Sequence, residues 1–259
     1  MKAEPLLEFD TIKLNFGGLQ VLRDLSFSLW SDEVVALIGP NGAGKTSLFN
    51  CICGFYRPQS GEIRWRGRSI SRLRPHKIAG LGIARSFQNI ELFANLSCLD
   101  NLLLGRHLHV KSGLVAALLG TPGWVRDEVR QRRRAEEILE LLDLQAFRGE
   151  KVSALPYGVQ KLIEVARTLT AEPSLLLLDE PTAGLTSEEK TDMLYRLLQL
   201  KKEFGLTLLV VEHDLKVVRQ LADRVIVLDY GLLIADGTPQ EVQNHPSVIE
   251  AYLGHQRLV

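Results

Sequence analysis

Residues 39–46 read Gly39-Pro40-Asn41-Gly42-Ala43-Gly44-Lys45-Thr46, and this stretch decides the fold of the chain. Its spacing is G-x-x-x-x-G-K-[ST], the pattern of a phosphate-binding loop. The apolar run before it, residues 34–38, predicts a buried strand, and residues 46–52 after it are compatible with a helix. Glycines let backbone N–H groups turn onto phosphate oxygens, and the helix N-terminus adds partial positive charge. We therefore expect the chain to bind a nucleoside triphosphate.

The loop ends in two side chains with separate expected tasks. Lys45 is expected to reach the β- and γ-phosphates, because a flexible ammonium group can follow the phosphate oxygens. The hydroxyl of Thr46 is expected to ligate Mg²⁺.

A second motif, Leu175-Leu176-Leu177-Leu178-Asp179-Glu180-Pro181, places two adjacent carboxylates at the end of a predicted buried strand. Consecutive strand residues point in opposite directions, so Asp179 and Glu180 can serve different atoms. One of them can hold Mg²⁺, directly or through water, and the other can polarise the water that attacks the γ-phosphate. Pro181 then prevents the strand from continuing in the ladder.

Two further residues carry weaker signals. His213 closes the next apolar strand, where a histidine is more often structural or exposed. Beside a phosphate-binding loop and two carboxylates it becomes a candidate sensor of the γ-phosphate. Gln88, within Arg85-Ser86-Phe87-Gln88-Asn89, indicates nothing alone, because a glutamine in a loop usually has no special role.

Composition narrows the class of protein. The chain has 259 residues, with 31 Lys and Arg against 31 Asp and Glu, so no overall basic field suggests nucleic acid as a partner. No apolar run approaches the roughly 18 residues that span a bilayer, and residues 1–5 lack the apolar core of a signal peptide. The three cysteines are too few and too irregular for a disulfide framework. We expect a soluble, cytosolic chain whose Cys51 and Cys53 are packing thiols.

The apolar pattern predicts an α/β fold. Alternation over residues 6–16, continued at Leu25, Phe27 and Leu29, favours half-buried antiparallel strands. Continuous apolar strands are expected at residues 175–178, 206–211 and 225–228, and the first two precede amphipathic helices. This order indicates a parallel sheet covered on both faces.

A different, helical region separates the two halves, over about residues 92–150. Five arginines within residues 126–134 are followed by Glu136, Glu137 and Glu140 at helical spacing. A solvated helix face with ion pairs is the preferred interpretation. Contact with membrane headgroups is a second one, and nucleic-acid binding is disfavoured.

The order of the motifs resembles that of the ATP-binding-cassette (ABC) ATPases over essentially the whole chain. GPNGAGKTS at 39–47 is followed by Gln88, a helical insertion, ALPYGVQKLIEVART at 154–168, LLLLDEPTAGL at 175–185 and EHD at 212–214. The resemblance implies a P-loop NTPase fold: a RecA-like parallel core with an antiparallel β subdomain and an inserted α-helical subdomain. It implies one cassette domain over residues 1–259, with core and β subdomain at about 1–90 and 170–259 and the helical subdomain at about 91–169.

The resemblance also implies roles for single residues. Phe16 would stack on adenine, Glu180 would be the general base, and His213 would contact the γ-phosphate. Mg²⁺ would be held by Thr46, Gln88 and Asp179. The residues implied in nucleotide contact are Phe16, Gly39, Pro40, Asn41, Gly42, Ala43, Gly44, Lys45, Thr46, Ser47 and Gln88.

Such cassettes pair head to tail, so each ATP lies between one P-loop and the other subunit's signature segment. That segment corresponds here to Leu155, Pro156, Tyr157, Gly158, Val159 and Gln160. The resemblance further implies a second cassette, identical or paralogous, transmembrane permease subunits contacted through the Gln88 region, and indirectly an external substrate-binding protein. The location implied is peripheral, on the cytoplasmic face of the inner membrane.

Among cassettes, the likeness is strongest to the LivG-like subunits of branched-chain amino acid importers. The stretches that carry this likeness are residues 15–19, Phe49-Asn50-Cys51, Gly54-Phe55-Tyr56, Ala84-Arg85-Ser86-Phe87-Gln88, the insertion around 111–114, Tyr157-Gly158 and Ala251-Tyr252-Leu253-Gly254. Urea importers and the lipopolysaccharide-export ATPase share much of this pattern. A weakly hydrolytic regulatory switch and a soluble cassette protein of chromosomes or translation are the remaining alternatives.

Two positions depart from the cassette pattern. The usual signature L-S-G-G-Q is replaced by residues 155–159. There Pro156 takes the place of the serine and removes a hydroxyl and a backbone N–H, and Val159 replaces the glutamine, although Gln160 is adjacent. The D-loop aspartate position is occupied by Thr186. Gly158 and a helix expected to begin near Val159 remain as backbone donors for the γ-phosphate. Loss of one charge-assisted hydrogen bond costs about 1.5–3 kcal/mol, enough to slow closure or turnover without abolishing it.

Overall fold

The computed structural model describes residues 4–86, 90–109, 119 and 121–256. The strands are β1 (Leu7–Phe16), β2 (Leu19–Leu29), β3 (Val34–Ile38), β4 (Ser60–Trp65), β5 (Arg68–Ser69), β6 (Ile83–Arg85), β7 (Leu175–Asp179), β8 (Thr207–Val211), β9 (Arg224–Asp229) and β10 (Leu232–Gly237). The helices are α1 (Lys45–Ile52), α2 (Pro75–Ala79), α3 (Cys98–Gly105), α4 (Pro122–Leu141), α5 (Tyr157–Leu169), α6 (Ser187–Phe204), α7 (Leu215–Leu221), α8 (Pro239–Gln243) and α9 (Pro246–Gln256).

The N-terminal strands form an antiparallel sheet in the order β2-β1-β4-β5. Its central strand β1 pairs with β2 and β4, and Phe9 lies opposite Phe27 with ring centroids 4.2 Å apart. Alternate residues of β1 are buried, because one face of this sheet covers the core. The predicted antiparallel strands are confirmed.

The second sheet carries the motifs and has the order β10-β9-β3-β8-β7-β6. Its strands are parallel except for β10, which pairs antiparallel with β9 at the edge. Because β3, β8 and β7 are neighbours and parallel, the residues that follow them emerge at one edge of the sheet. The segments that follow these strands begin at Gly39, Glu212 and Glu180, so the fold brings together stretches that are far apart in the chain.

Two cores explain the uninterrupted apolar strands. Leu175 and Leu177 of β7 face a core shared with α1 and the antiparallel sheet. Leu176 and Leu178 face a second core, built with α3, α4, α5 and α6. Both faces of β7 are therefore covered, which is why its sequence is continuous rather than alternating. The expected parallel sheet covered on both faces is confirmed.

The helical region between the motifs contains α3, α4 and α5, with α3 packed against the other two. Helix α5 begins at Tyr157, two residues before the expected start near Val159. Pro156 lies at its N-cap with φ −56°. Proline is well suited to the start of a helix, where a missing backbone N–H loses no intrahelical bond.

A buried polar network joins the helical region internally. Arg106 follows α3 and donates from Nε to Gln131 Oε1 of α4 at 2.7 Å and from Nη1 to the Thr170 carbonyl at 2.9 Å. Gln131 in turn donates to the His109 carbonyl at 3.0 Å. These hydrogen bonds connect residues 106–109, which precede residues 110–120, to α4, which follows them.

The arginine-rich part of α4 is ion-paired along the helix. Arg132 contacts Glu136 and Arg133 contacts Glu137, both at i,i+4 spacing, and Arg134 contacts Glu137 at 2.8 Å. The structure thus agrees with the preferred interpretation of a solvated, ion-paired face. None of the described helices combines the length and the apolarity that crossing a bilayer requires.

Candidate functional site

The phosphate-binding loop joins β3 to α1 and is shaped by its glycines. Gly39, Gly42 and Gly44 have φ of 150°, 80° and 103°, values that side chains with a Cβ rarely adopt. A Cβ on Gly39 would lie 2.0 Å from the Leu228 carbonyl oxygen, so this position has no room for another residue. The Lys45 ammonium donates to the carbonyls of Gly39 and Pro40 at 2.7 and 2.9 Å.

Lys45 carries the positive charge of the phosphate-binding loop, and its pKa is shifted. Its side chain is buried, and this burial lowers its pKa, an effect opposed by the charges of Glu180 and Asp179. A positive charge thus lies inside the loop, facing the carboxylates at the ends of the neighbouring strands. Thr46 is exposed in the first turn of α1.

Asp179 and Glu180 have different partners, as the sequence led us to expect. Asp179 Oδ2 accepts from Arg85 Nη2 at 2.8 Å, and both side chains are buried. Arg85 also donates to Asn50 Oδ1 of α1 at 2.6 Å. The sequence alone indicated no role for Arg85. It closes β6, whose pairing with β7 is not visible in the sequence.

Glu180 has left-handed backbone, φ 51°, which is uncommon outside glycine and points to local strain at this position. Its Oε1 is 2.8 Å from His213 Nε2, and its backbone N–H donates to the Val211 carbonyl at 3.0 Å. Because a carboxylate only accepts hydrogen bonds, the imidazole proton in this contact belongs to Nε2. Two of the predicted site residues are therefore in direct contact.

The residue before His213 has a structural task that the sequence did not reveal. Glu212 is buried and accepts from the hydroxyl and the backbone N–H of Thr182, at 2.8 and 3.2 Å. Burial raises the pKa of Glu212. These bonds tie the segment after Glu180 to the segment that carries His213.

Phe16 ends β1 with its ring 47% exposed. The ring meets Tyr56 edge-on, with centroids 5.0 Å apart. The Tyr56 backbone N–H donates to the Asn50 carbonyl in α1, which connects this aromatic pair to the helix after the loop. The sequence predicted no role for Tyr56 in the nucleotide site, because Gly54-Phe55-Tyr56 indicated only the likeness to the LivG-like subunits.

Residues 155–160 lead into the first turn of α5, which begins at Tyr157. This segment packs against the segment around Gly184. A Cβ on Gly184 would lie 3.0 Å from the Tyr157 ring, and one on Gly158 would lie 2.6 Å from Glu189 Oε1. Glu189 is held there by a capping box with Thr186 at the start of α6. The capping box at Thr186 therefore packs, through Glu189, against the start of α5, where the signature segment departs from the cassette pattern.

The last residues of this segment have their own contacts. Gln160 donates from Nε2 to the Leu155 carbonyl at 2.8 Å, and Val159 packs on the helical core. Pro156 makes no side-chain cap bond. Gln88, predicted to contact the nucleotide and Mg²⁺, lies outside the described residues.

A groove of about 660 Å³ lies between the sheet and the helical region. Its wall includes the exposed apolar side chains of Phe55, Phe93 and Leu104. Arg85 and Arg167 add basic groups. Arg85 therefore reaches both this groove and Asp179.

A family model for the ABC transporter matches residues 22–183. The chain belongs to the ABC transporter family. A second model, described as branched-chain amino acid ATP-binding cassette transporter, matches residues 233–257. The resemblance seen in the order of the motifs is thereby confirmed.

Curated relatives of this ABC transporter family member span nearly its whole length. It is 40% identical over 252 residues to the high-affinity branched-chain amino acid transport ATP-binding protein BraF of Pseudomonas aeruginosa, covering 97% of this chain and 99% of the relative. It is 39% identical over 252 residues to LivG of Escherichia coli K12, a protein of the same description, with the same coverage.

Solved structures confirm the cassette fold. The ADP conformation of MJ1267, an ATP-binding cassette of an ABC transporter, has a TM-score of 0.85 at 31% identity, covering 96% of this chain and 99% of that one. A nucleotide-free cassette has a TM-score of 0.83 at 30% identity, covering 96% and 98%. The predicted α/β P-loop NTPase class is therefore correct.

Proposed function

We propose that this chain is the ATP-binding and ATP-hydrolysing subunit of an ABC importer for branched-chain amino acids. The observation that carries the ATPase proposal is the placement of Lys45, Glu180 and His213 at one edge of the sheet, after β3, β7 and β8. The substrate proposal rests on the branched-chain transport relatives and on the family model over residues 233–257.

The phosphate-binding loop would hold the triphosphate through its backbone N–H groups and Lys45. To reach the phosphates, the Lys45 ammonium would exchange the carbonyls of Gly39 and Pro40 for phosphate oxygens. Since burial already disfavours the charged ammonium, a phosphate partner would be strongly stabilising. Phe16, supported by Tyr56, offers an exposed ring for adenine stacking.

Glu180 would accept a proton from the attacking water, and His213 would position this carboxylate and contact the γ-phosphate. The 2.8 Å contact between them supports this division of roles. General-base assistance of this kind contributes about 10²- to 10⁴-fold in rate. Glu180 directly follows β7 and His213 lies two residues after β8, so the buried strands of the sheet position both residues.

Mg²⁺ is part of this proposal, with Thr46, Asp179 and Gln88 as its protein partners. The described residues contain no cluster of three or more His, Cys, Asp or Glu side chains that would hold a metal alone. A hydroxyl and one carboxylate nonetheless suit Mg²⁺, which usually keeps waters and shares phosphate oxygens. Bound there, Mg²⁺ would neutralise charge on the β- and γ-phosphates. Because Arg85 occupies Asp179 Oδ2, Asp179 would act through its other oxygen or a water.

A second cassette, identical or paralogous, would complete the site. Its residues 155–160 would cover the γ-phosphate with backbone donors at the start of α5. The Pro156 and Tyr157 side chains of this segment are exposed, as such a contact requires.

The groove beside Arg85 would receive a segment of the transmembrane permease. Its apolar wall and Arg167 suit an apolar segment that carries an acidic residue, since Arg85 is already paired with Asp179. Through Arg85 and the Gln88 region, movement in the groove would reach Asp179. We therefore place the chain on the cytoplasmic face of the inner membrane as a peripheral subunit, with the external binding protein as an indirect partner.

The decisive experiment is co-expression of the chain with candidate membrane subunits, followed by reconstitution in vesicles. ATP-driven uptake of leucine, isoleucine or valine is expected. Uptake of urea, or extraction of lipopolysaccharide, would replace the substrate proposal by one of the alternatives. ATP binding without turnover, even with the membrane partner present, would favour a regulatory switch.

A further inference from the structure

Glu212, the residue before His213, bridges the two segments that carry the side chains proposed for hydrolysis. It is 4% exposed, and its two oxygens contact different segments. Oε1 accepts from the Thr182 hydroxyl at 2.8 Å and from the Thr182 backbone N–H at 3.2 Å. Oε2 accepts from the His213 backbone N–H at 3.3 Å. One buried carboxylate thus joins the turn after β7 to the segment after β8.

The turn after β7 is held on both sides of Pro181 by the end of β8. Before the proline, the Glu180 backbone N–H donates to the Val211 carbonyl at 3.0 Å. After it, Thr182 donates to Glu212, the residue that follows Val211. The left-handed backbone of Glu180, φ 51°, costs free energy and persists only where the surroundings enforce it. These hydrogen bonds supply that constraint.

The contacts of Glu212 require a carboxylate. Three donors converge on its oxygens: two backbone N–H groups and the hydroxyl of Thr182. An ionised carboxylate accepts at both oxygens, whereas an amide accepts at one and donates at the other. A glutamine in this place would therefore set an NH₂ group against a backbone N–H, whichever way its amide turned.

The distance between Glu180 and His213 depends on this bridge. Their side chains meet at 2.8 Å, and they follow different strands, so a shift of either segment would change the contact. We propose that Glu212 and Thr182 are positioning residues that keep Glu180 and His213 in place for hydrolysis. The bond between them sets the rate of ATP hydrolysis and leaves nucleotide affinity unchanged. This inference deepens the proposed function and rests on it.

Nucleotide affinity is expected to be independent because the phosphate-binding loop follows another strand. That loop begins after β3, and Lys45 is held there by the carbonyls of Gly39 and Pro40. Loss of the bridge would therefore lower kcat and spare the Kd. A general loss of folded structure would instead reduce both binding and turnover.

Steady-state hydrolysis by the full-length Glu212→Gln and Thr182→Val proteins tests the inference. The kcat should fall about ten- to a hundredfold in each, the range that one lost hydrogen bond to a charged group provides. The Kd for a non-hydrolysable ATP analogue should stay within about twofold of the wild-type value. Thr182→Ser keeps the hydroxyl and should restore kcat, and the threonine variants carry the test alone if Glu212→Gln does not fold.

Thr207→Val is the matched control. Thr207 is also buried, and its hydroxyl accepts from the Asp32 backbone N–H at 2.9 Å. It begins β8, at the opposite end of the strand from Glu212. Thr207→Val should therefore lower the unfolding midpoint as Thr182→Val does, while its kcat stays near the wild-type value.

The double variant shows whether the two residues act through one bond. Thr182→Val combined with Glu212→Gln should lower kcat little more than Glu212→Gln does alone, because the same contact is already broken. Multiplied effects would show that the residues act separately and would overturn the inference. Wild-type kcat in folded Thr182→Val would overturn it too, as would an equal fall of kcat in Thr207→Val.

The failure of this inference and the failure of the proposed function are distinguishable. If the wild-type chain hydrolyses no ATP, or if Glu180→Gln turns over as the wild type does, the proposed function is wrong. If the wild-type chain is active, Glu180→Gln is inactive and Thr182→Val keeps full activity, only the positioning role of Glu212 and Thr182 is wrong.

Discussion

Glu180 Oε1 lies 2.8 Å from His213 Nε2, although the two residues follow different strands. The contact exists because β7 and β8 are adjacent and parallel, so their carboxyl ends meet. The imidazole therefore donates to the carboxylate that we propose as general base, and it fixes the direction in which that carboxylate points.

Replacement of Glu180 by Gln should separate binding from hydrolysis. The amide keeps the size of the side chain but accepts no proton, so turnover should fall at least about 100-fold while the Kd for ATP changes little. Steady-state phosphate release and equilibrium titration measure the two quantities. Wild-type turnover in Glu180→Gln would contradict the general-base role.

Replacement of Lys45 by Ala should remove most nucleotide affinity. A buried ammonium that bonds phosphate oxygens contributes about 1.5–3 kcal/mol, so the Kd should rise about ten- to a hundredfold. Fluorescence titration with a labelled ATP provides the measurement. Lys202→Ala, at an exposed position of α6, is the control and should bind as the wild type does. Equal affinity in both variants would exclude Lys45 from the site.

The ion pair between Arg85 and Asp179 should be important for stability. Both side chains are buried, and removing one partner leaves a buried charge, at a cost of about 3–5 kcal/mol. Urea denaturation of Arg85→Ala should show this loss. Arg133→Ala, which breaks an exposed pair on α4, should scarcely change the unfolding midpoint. Similar midpoints for the two variants would show that the buried pair is not stabilising.

The capping box of Thr186 and Glu189 should influence ATP-dependent pairing of two cassettes. Glu189 rests on Gly158, so Thr186→Ala should loosen the segment that we expect to cover the partner's nucleotide. In the Glu180→Gln background, dimerisation with ATP should weaken about two- to tenfold by analytical ultracentrifugation.

Helix α8 offers the matched control for this prediction. Thr238 and Glu241 form the same capping box there. Thr238→Ala should destabilise its helix comparably while ATP-dependent dimerisation stays unchanged. A similar loss of dimerisation in both variants would mean that general destabilisation is responsible.

The cysteines should resist alkylation in the folded protein. Burial raises the pKa of Cys51 to about 12 and that of Cys53 and Cys98 to about 11, so little thiolate exists at pH 8. Folding raises these pKa values, so the buried neutral thiols stabilise the folded state below about pH 9, the ordinary pKa of the thiol. This contribution to the free energy of unfolding is lost as the pH rises through the raised pKa values. Iodoacetamide with mass spectrometry should label them only in denaturant. Rapid labelling of the native chain would show that they are accessible.

Much of the fold could be predicted because local sequence and final structure agree. The loop at 39–46 lies between a buried strand and a helix, and Leu175–Asp179 is apolar because helices and the other sheet cover both of its faces. The motif order then identified the family. Helix α5 begins two residues earlier than expected, because Pro156 favours a helix start.

The interactions that the sequence did not reveal are long-range. Arg85 and Asp179 are 94 residues apart, and their pairing depends on the register of β6 beside β7. Val248 and Ile38 lie in one apolar cluster only because α9 returns to the end of β3. The left-handed backbone of Glu180 is likewise imposed by its surroundings, since glutamate has no intrinsic preference for it.

The buried bonds of Arg106 and Gln131 have a consequence for variation among related cassettes. They fix the distance between the stretches that flank residues 110–120, independently of the sequence that runs between them. We therefore expect the packing of α3 against α4 to tolerate changes of sequence within residues 110–120. Differences between paralogues should therefore accumulate at this place first.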